Sequence, residues 1–165
     1  MYICGVKKKS YNFSKGEQKS LEVNEPISLY MKAPNFDQFF TDKFQIVQLI
    51  KKGLSHNVFE QIKSLSPFTE LEWANFLDVS TKSLSRYKEA ISHTFKSSHT
   101  EKILSIVEVN KVAMDIFKSK DKYEGWLRTT NFALGNERPV DLLASSYGRD
   151  LVLSELTRIQ HGIFI

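Results

Sequence analysis

The sequence predicts an all-α protein. From Asp42 onward, apolar residues recur at helical spacing in successive segments, and residues that start or stop helices separate those segments. No pair of alternating stretches reads as two strands. With 41% hydrophobic and 25% charged residues in 165, the chain can build a core, which excludes wholesale disorder. Its length suits one domain or two small ones. The expected division is an irregular or partly disordered arm over 1–40, a first helical unit over 41–100 and a second over 101–165.

The arm mixes Lys7, Lys8 and Lys9 with serines, asparagines, Pro26 and Pro34, and shows no sustained period. Its lysines can touch phosphates or simply keep the arm solvated. The first helix begins after Asp42 with Phe44, Val47 and Ile50, and Ile46 and Leu49 beside them, on one face; Gly53 ends it. Ser55 is placed to cap a second helix, whose apolar positions are Val58, Phe59, Ile62 and Leu65 and whose end is marked by Pro67. Thr69 and Glu72 form a capping-box pair opening a short helix through Leu77, and Ser80 caps another running to about Ala90. A longer helix follows over Glu101–Lys118 with a stripe of Ile103, Ile106, Val107, Ala113, Met114 and Phe117, and Asp121–Leu127 adds another turn or two. Thr129–Arg138 is a polar loop containing Gly135. Pro139 opens a helix through Ala144, and a last helix from about Gly148 to Gln160 stops at Gly162.

Between Thr69 and Lys88, two short amphipathic helices separated by about three residues have the spacing of a helix-turn-helix. Trp73, Leu77, Val79, Leu84 and Tyr87 can share a core, and Ala74 is small where the helices approach most closely. The turn usually takes glycine, because one residue there adopts a left-handed backbone. Here it is Asp78, and aspartate tolerates that conformation better than most residues. Thr81, Lys82, Ser83, Ser85 and Arg86 gather near the N-terminus of the second helix, the end that such motifs insert into the major groove. Arg86 suits guanine edges; Lys82 and the hydroxyls suit phosphates or bases. The alternative is two ordinary bundle helices with a mildly basic face.

Charge favours the same region. Residues 1–40 carry 6 basic and 4 acidic side chains, 41–100 carry 8 and 6, and 101–165 carry 9 and 9, so the net +4 lies in the first hundred residues. That bias suits a polyanionic partner. The lone Cys4 can form neither an internal disulfide nor a Cys-x-x-Cys zinc site, which fits a reducing compartment. Residues 1–15 lack the apolar stretch of a secretory signal and no run is long enough to span a membrane, so the chain is expected to be cytoplasmic. His56, His93, His99 and His161 have no spacing that places two metal ligands on one helix face. There is no glycine-rich phosphate loop and no Gly-x-Ser-x-Gly elbow, so neither an enzyme, a metal nor a cofactor is expected.

From Gly125 the chain carries Trp126-Leu127, Thr129-x-Asn131, Ala133-Leu134-Gly135, Pro139 with Leu142-Leu143, and a closing Arg158-Ile159 with Gly162. This block resembles the C-terminal domain of the Xre/MbcA/ParS antitoxins, and the likeness extends back to about Gly53. The resemblance implies an Xre-type helix-turn-helix domain followed by a small helical toxin-binding domain. It further implies a type II toxin-antitoxin system in which the partner is a RES-domain toxin that consumes NAD. The antitoxin binds that toxin near its active site and represses its own operon through operator DNA.

Leu142, Leu143, Val152, Leu156 and Ile159 read as core positions. Gly162 frees Ile163, Phe164 and Ile165 as an apolar terminus, either docked on the fold or reaching a partner. The resemblance favours the second, with Arg158, Gln160 and His161 joining the tail to contact the toxin. A homodimer is expected, because paired half-sites give a small reading helix useful affinity. The competing reading is a stand-alone helix-turn-helix regulator whose C-terminal domain only dimerises.

Overall fold

A computed structural model describes residues 42–89 and 93–163. The arm with Cys4 and Lys7–Lys9, residues 90–92 with the expected helix end at Ala90, and the last two residues, Phe164 and Ile165, lie outside the described residues. The described chain is helical apart from one two-stranded pairing, as the all-α expectation requires.

Helix α1 (Lys43–Lys52) starts because the Asp42 carboxylate accepts from the backbone N–H groups of Phe44 (3.0 Å) and Gln45 (3.3 Å). It ends at Gly53, whose positive φ of 86° is open to glycine. A Cβ there would overlap the carbonyl of Phe95 and the side chain of Thr94. Ile46, Leu49 and Ile50 pack on the core, but Phe44 is 69% and Val47 45% exposed. At about 100° per residue, these two lie a quarter turn or more from the face that the other three share, so the expected single apolar face is split.

The close pass at Gly53 brings β1 (Leu54–Ser55) beside β2 (Thr94–Phe95), antiparallel, with Leu54 opposite Phe95. The sequence reading contained no strand pair. Two residues per strand are too few to produce an alternation that can be seen. This pairing also changes the role of Ser55: its hydroxyl makes no cap bond to α2 (His56–Leu65), and the first N–H of that helix donates instead to the carbonyl of His93 (2.9 Å). Val58, Phe59 and Ile62 are buried as expected, whereas Leu65, in the last turn, is 54% exposed.

Two short helices follow, α3 (Glu70–Leu77) and α4 (Thr81–Glu89). The long helix α5 (Ser97–Phe117) starts four residues before the expected Glu101, so the anticipated division at 100/101 falls inside it. Buried Thr100 explains the early start: its hydroxyl donates to the carbonyl of Phe95 (3.2 Å) and accepts from the N–H of Leu54 (3.1 Å), fastening the strand pair to the first turn of α5. Then come α6 (Lys120–Arg128), a 3₁₀ turn (Phe132–Leu134), α7 (Pro139–Leu142) and α8 (Ser146–Gln160), capped by the Ser145 hydroxyl. Helix α7 stops short of the expected Ala144, and α8 begins two residues before Gly148. A Cβ on Gly148 would run into the carbonyl of Leu142, so the tight α7–α8 corner requires glycine there.

Helix α5 forms the spine. It contacts α1 and α3 on one side and α6 and α8 on the other. Phe59, Trp73, Phe76 and Phe95 fill the N-terminal part of the core, and Tyr123, Leu127, Leu143, Val152 and Leu156 the C-terminal part, within one continuous cluster. Among the described residues no cluster of His, Cys, Asp and Glu could hold a metal, and no helix is long and apolar enough to cross a membrane.

Candidate functional site

Two surfaces stand out, one on α4 and one at the C-terminal end. The first is built from the capping box at the start of α3. The Thr69 hydroxyl accepts from the N–H of Glu72 (3.2 Å), and the Glu72 carboxylate accepts from the N–H of Thr69 (2.7 Å). Burial alone would push the Glu72 carboxyl up. Hydrogen bonds from Arg128 and Thr69 outweigh that and hold it below its usual range. Trp73, Ala74 and Leu77 face inward, with the Trp73 indole N–H donating to the Ser66 hydroxyl (3.3 Å).

The turn takes the form that the sequence demands. Asp78 occupies the left-handed region (φ 57°, ψ 47°), and the N–H of Val79 returns to the carbonyl of Ala74 (3.0 Å). Ser80 then caps α4, its hydroxyl accepting from the N–H of Ser83 (3.0 Å). Leu84 is buried; Val79 and Tyr87 are half-buried against the core. Behind α4, the Tyr87 ring stacks on His93 at 4.0 Å, and both rings meet Phe95.

Packing Leu84 and Tyr87 inward turns Thr81, Lys82, Ser85 and Arg86 out to solvent together. Ser83 is different. It is half-buried and its hydroxyl lies 2.9 Å from that of Ser80, so the cap engages it. Lys88 is a further exposed cation on the same helix, which the sequence selection omitted because it lies past the N-terminal turns.

The second surface begins with the loop before α7. The Asn131 side chain accepts from the N–H of Ala133 (2.9 Å), and its backbone N–H donates to Glu137 (3.0 Å). Gly135 closes the 3₁₀ turn at φ 72°. Pro139 occupies the first turn of α7, where its missing N–H costs nothing. Leu143, Val152 and Leu156 are buried, with Leu142 and Ile159 half-buried.

At the end of α8 the expected contact residues separate. Arg158 is half-buried and pairs with Glu155 (3.4 Å). Gln160, His161 and Ile163 are exposed, Ile163 by 55%. Gly162 turns at φ 67°, and the N–H of Ile163 returns to the carbonyl of Arg158 (2.9 Å), so the chain is directed off the helix there. Phe164 and Ile165, the other two tail residues, lie outside the described residues. Beside this end, an open groove of about 450 Å³ is lined by Asp115, Ile116, Phe117, Lys122, Ile159 and Gln160. Its walls come from α5, α6 and α8, and only the fold brings them together. Of the expected contact residues that are described, Gln160 alone is among those lining it.

Comparison with known proteins gives this geometry a context. Residues 112–162 match the family model described as the antitoxin Xre/MbcA/ParS C-terminal toxin-binding domain. An antitoxin Xre of Yersinia enterocolitica is 28% identical over 120 residues, covering 72% of this chain and 80% of that protein. One of Photorhabdus laumondii is 26% identical over 116 residues, covering 70% and 78%. The fold is similar to a chain in the crystal structure of the M. tuberculosis MbcT-MbcA toxin-antitoxin complex, with a TM-score of 0.50 and 17% identity over 64% of this chain and 93% of that one. The helix that closes at Gly162, the Asn131 loop and the Pro139 turn all lie within the matched stretch, and over most of its length the chain is similar to antitoxins of toxin-antitoxin systems.

Proposed function

We propose that this chain is an antitoxin that neutralises a RES-domain, NAD-consuming toxin by binding near its active site, and that it represses its own operon by reading operator DNA with α4. The observation that carries the first part is the end of the matched toxin-binding domain, where Gly162 takes the chain off α8 and leaves Ile163 exposed. Arg158, Gln160, His161 and residues 163–165 are the proposed contacts, with the arginine suited to compete with a nucleotide for the groups that bind its partners.

The DNA reading is supported by the helix-turn-helix geometry, with Thr81, Lys82, Ser85 and Arg86 exposed together on α4. Ser83 contributes through the cap. In this reading residues 41–100 form the DNA-reading unit and 101–165 the toxin-binding unit, the protein acts as a cytoplasmic homodimer, and it is not itself an enzyme.

Co-expression tests the function as a whole. The chain should restore growth to cells expressing the toxin encoded beside it and should co-purify with that toxin; failure of both contradicts the proposal. A gel shift tests the α4 assignment. Lys82→Ala and Arg86→Ala should each weaken binding to the DNA upstream of the operon, by about 1–3 kcal/mol for Arg86 if it reads a guanine. Unchanged binding in both variants rejects it.

A further inference from the structure

Helix α4 packs on α3, so whatever fixes α3 also fixes the exposed face of α4. The start of α3 is held by Arg128, the last residue of α6, which lies within the matched C-terminal domain. Its Nη1 donates to Glu72 Oε1 (2.6 Å). Its Nη2 donates to the carbonyl of Pro67 (3.2 Å) and lies 3.5 Å from Glu72 Oε2. Its Nε donates to Glu124 (3.2 Å), on its own helix. Glu72 is already holding the N–H of Thr69, so Pro67 and Glu72 bond to one guanidinium directly and Thr69 is tied to it through Glu72.

A planar fork of fixed donors meets the carboxylate and the carbonyl from two different nitrogens and so fixes their relative orientation, which the single nitrogen of a lysine does less well. Most ion pairs between helix neighbours contribute little. This one joins residues 56 apart in sequence, with side chains only 36% and 18% exposed.

We infer that Arg128 is a positioning residue for DNA reading: from the toxin-binding domain, it sets the orientation at which the helix-turn-helix presents α4. The inference rests on the DNA-binding reading of α4. Releasing the clasp lets α3 and α4 sample orientations that cannot dock, and apparent affinity falls in proportion to the fraction that still can.

The test uses the full chain and a fluorescent duplex from upstream of its operon, with anisotropy titrations at several salt concentrations. Arg128→Met should weaken binding roughly five- to tenfold while leaving the slope of log affinity against log salt unchanged, because Arg128 touches no phosphate. Lys82→Ala should lower that slope.

Glu72→Gln keeps an acceptor for Thr69 but loses the ion pair. It should match Arg128→Met, and the double variant should be no weaker than either single one, since the two act through each other. Arg128→Lys should recover part of the affinity. Far-UV circular dichroism must show each variant folded at the titration temperature, and hydrogen exchange should rise over residues 67–77 without DNA.

Wild-type affinity in Arg128→Met, a reduced salt slope in that variant, or additive losses in the double variant would overturn the assignment. Absence of binding by the unmutated chain would instead overturn the DNA-binding reading on which it rests.

Discussion

Asp78 shows how much one residue's local chemistry reveals. Its left-handed conformation (φ 57°) was legible from sequence because the spacing of two short helices requires such a residue and aspartate tolerates it. The Thr69–Glu72 capping box and Pro139 in the first turn of α7 were legible for the same reason, since each depends on residues within one turn. Gly148 and Arg128 were not. One is required by the approach of the Leu142 carbonyl and the other is engaged by Glu72 from 56 residues away. Asp78 also places a negative charge at the carbonyl end of α3, which disfavours it. Asp78→Gly relieves both costs and gives back part of the gain through greater freedom of the unfolded chain. A net stabilisation of about 0.5 kcal/mol is expected from urea denaturation; a lower midpoint would show that the aspartate contributes something the turn geometry does not reveal.

At the scale of elements, periodicity located the helices but not how they share the core. Phe44 and Val47 shared the hydrophobicity of Ile46, Leu49 and Ile50 but not their face, and the strand pair was too short to register. That pair places His56 and His93 together around Phe95, beside Tyr87 of α4. Burial pushes both imidazoles below their ordinary value, and the Nε2 atom of each is buried without a hydrogen-bond partner among the described residues. Lys63 and Lys88 add to the depression at His56 and Glu60 opposes it; His56 and His99 add to that at His93. The folded chain therefore prefers both neutral, and the unfolded chain binds protons first as pH falls below about 6.5. Their contribution is fully present above that pH and is lost as pH falls through the folded values. Between pH 7.5 and about 5, above the range where Glu72 titrates, the urea midpoint should fall, and His93→Phe, which keeps the ring stack without a titrating group, should reduce the fall. An equal pH dependence in wild type and His93→Phe would place the effect elsewhere.

Over the whole molecule, α5 joins α3 and α4 to the family-matched stretch through one continuous core. The all-α class was legible because helical spacing and caps agree along the chain. The groove of Asp115, Ile116, Lys122 and Gln160 was not, because three helices contribute its walls. In the proposed function the central task falls on the end of α8, where Gly162 sends the chain off the helix beside that groove. Removing residues 161–165 leaves Arg158 and the buried Leu156 in place, so the fold should persist. The most direct measurement is the NAD content and growth of cells expressing the neighbouring toxin together with either the full chain or the chain lacking residues 161–165. Full protection by the intact chain and lost protection by the truncated one, with both accumulating to the same level, is the predicted result; equal protection by both would contradict inhibition through the tail.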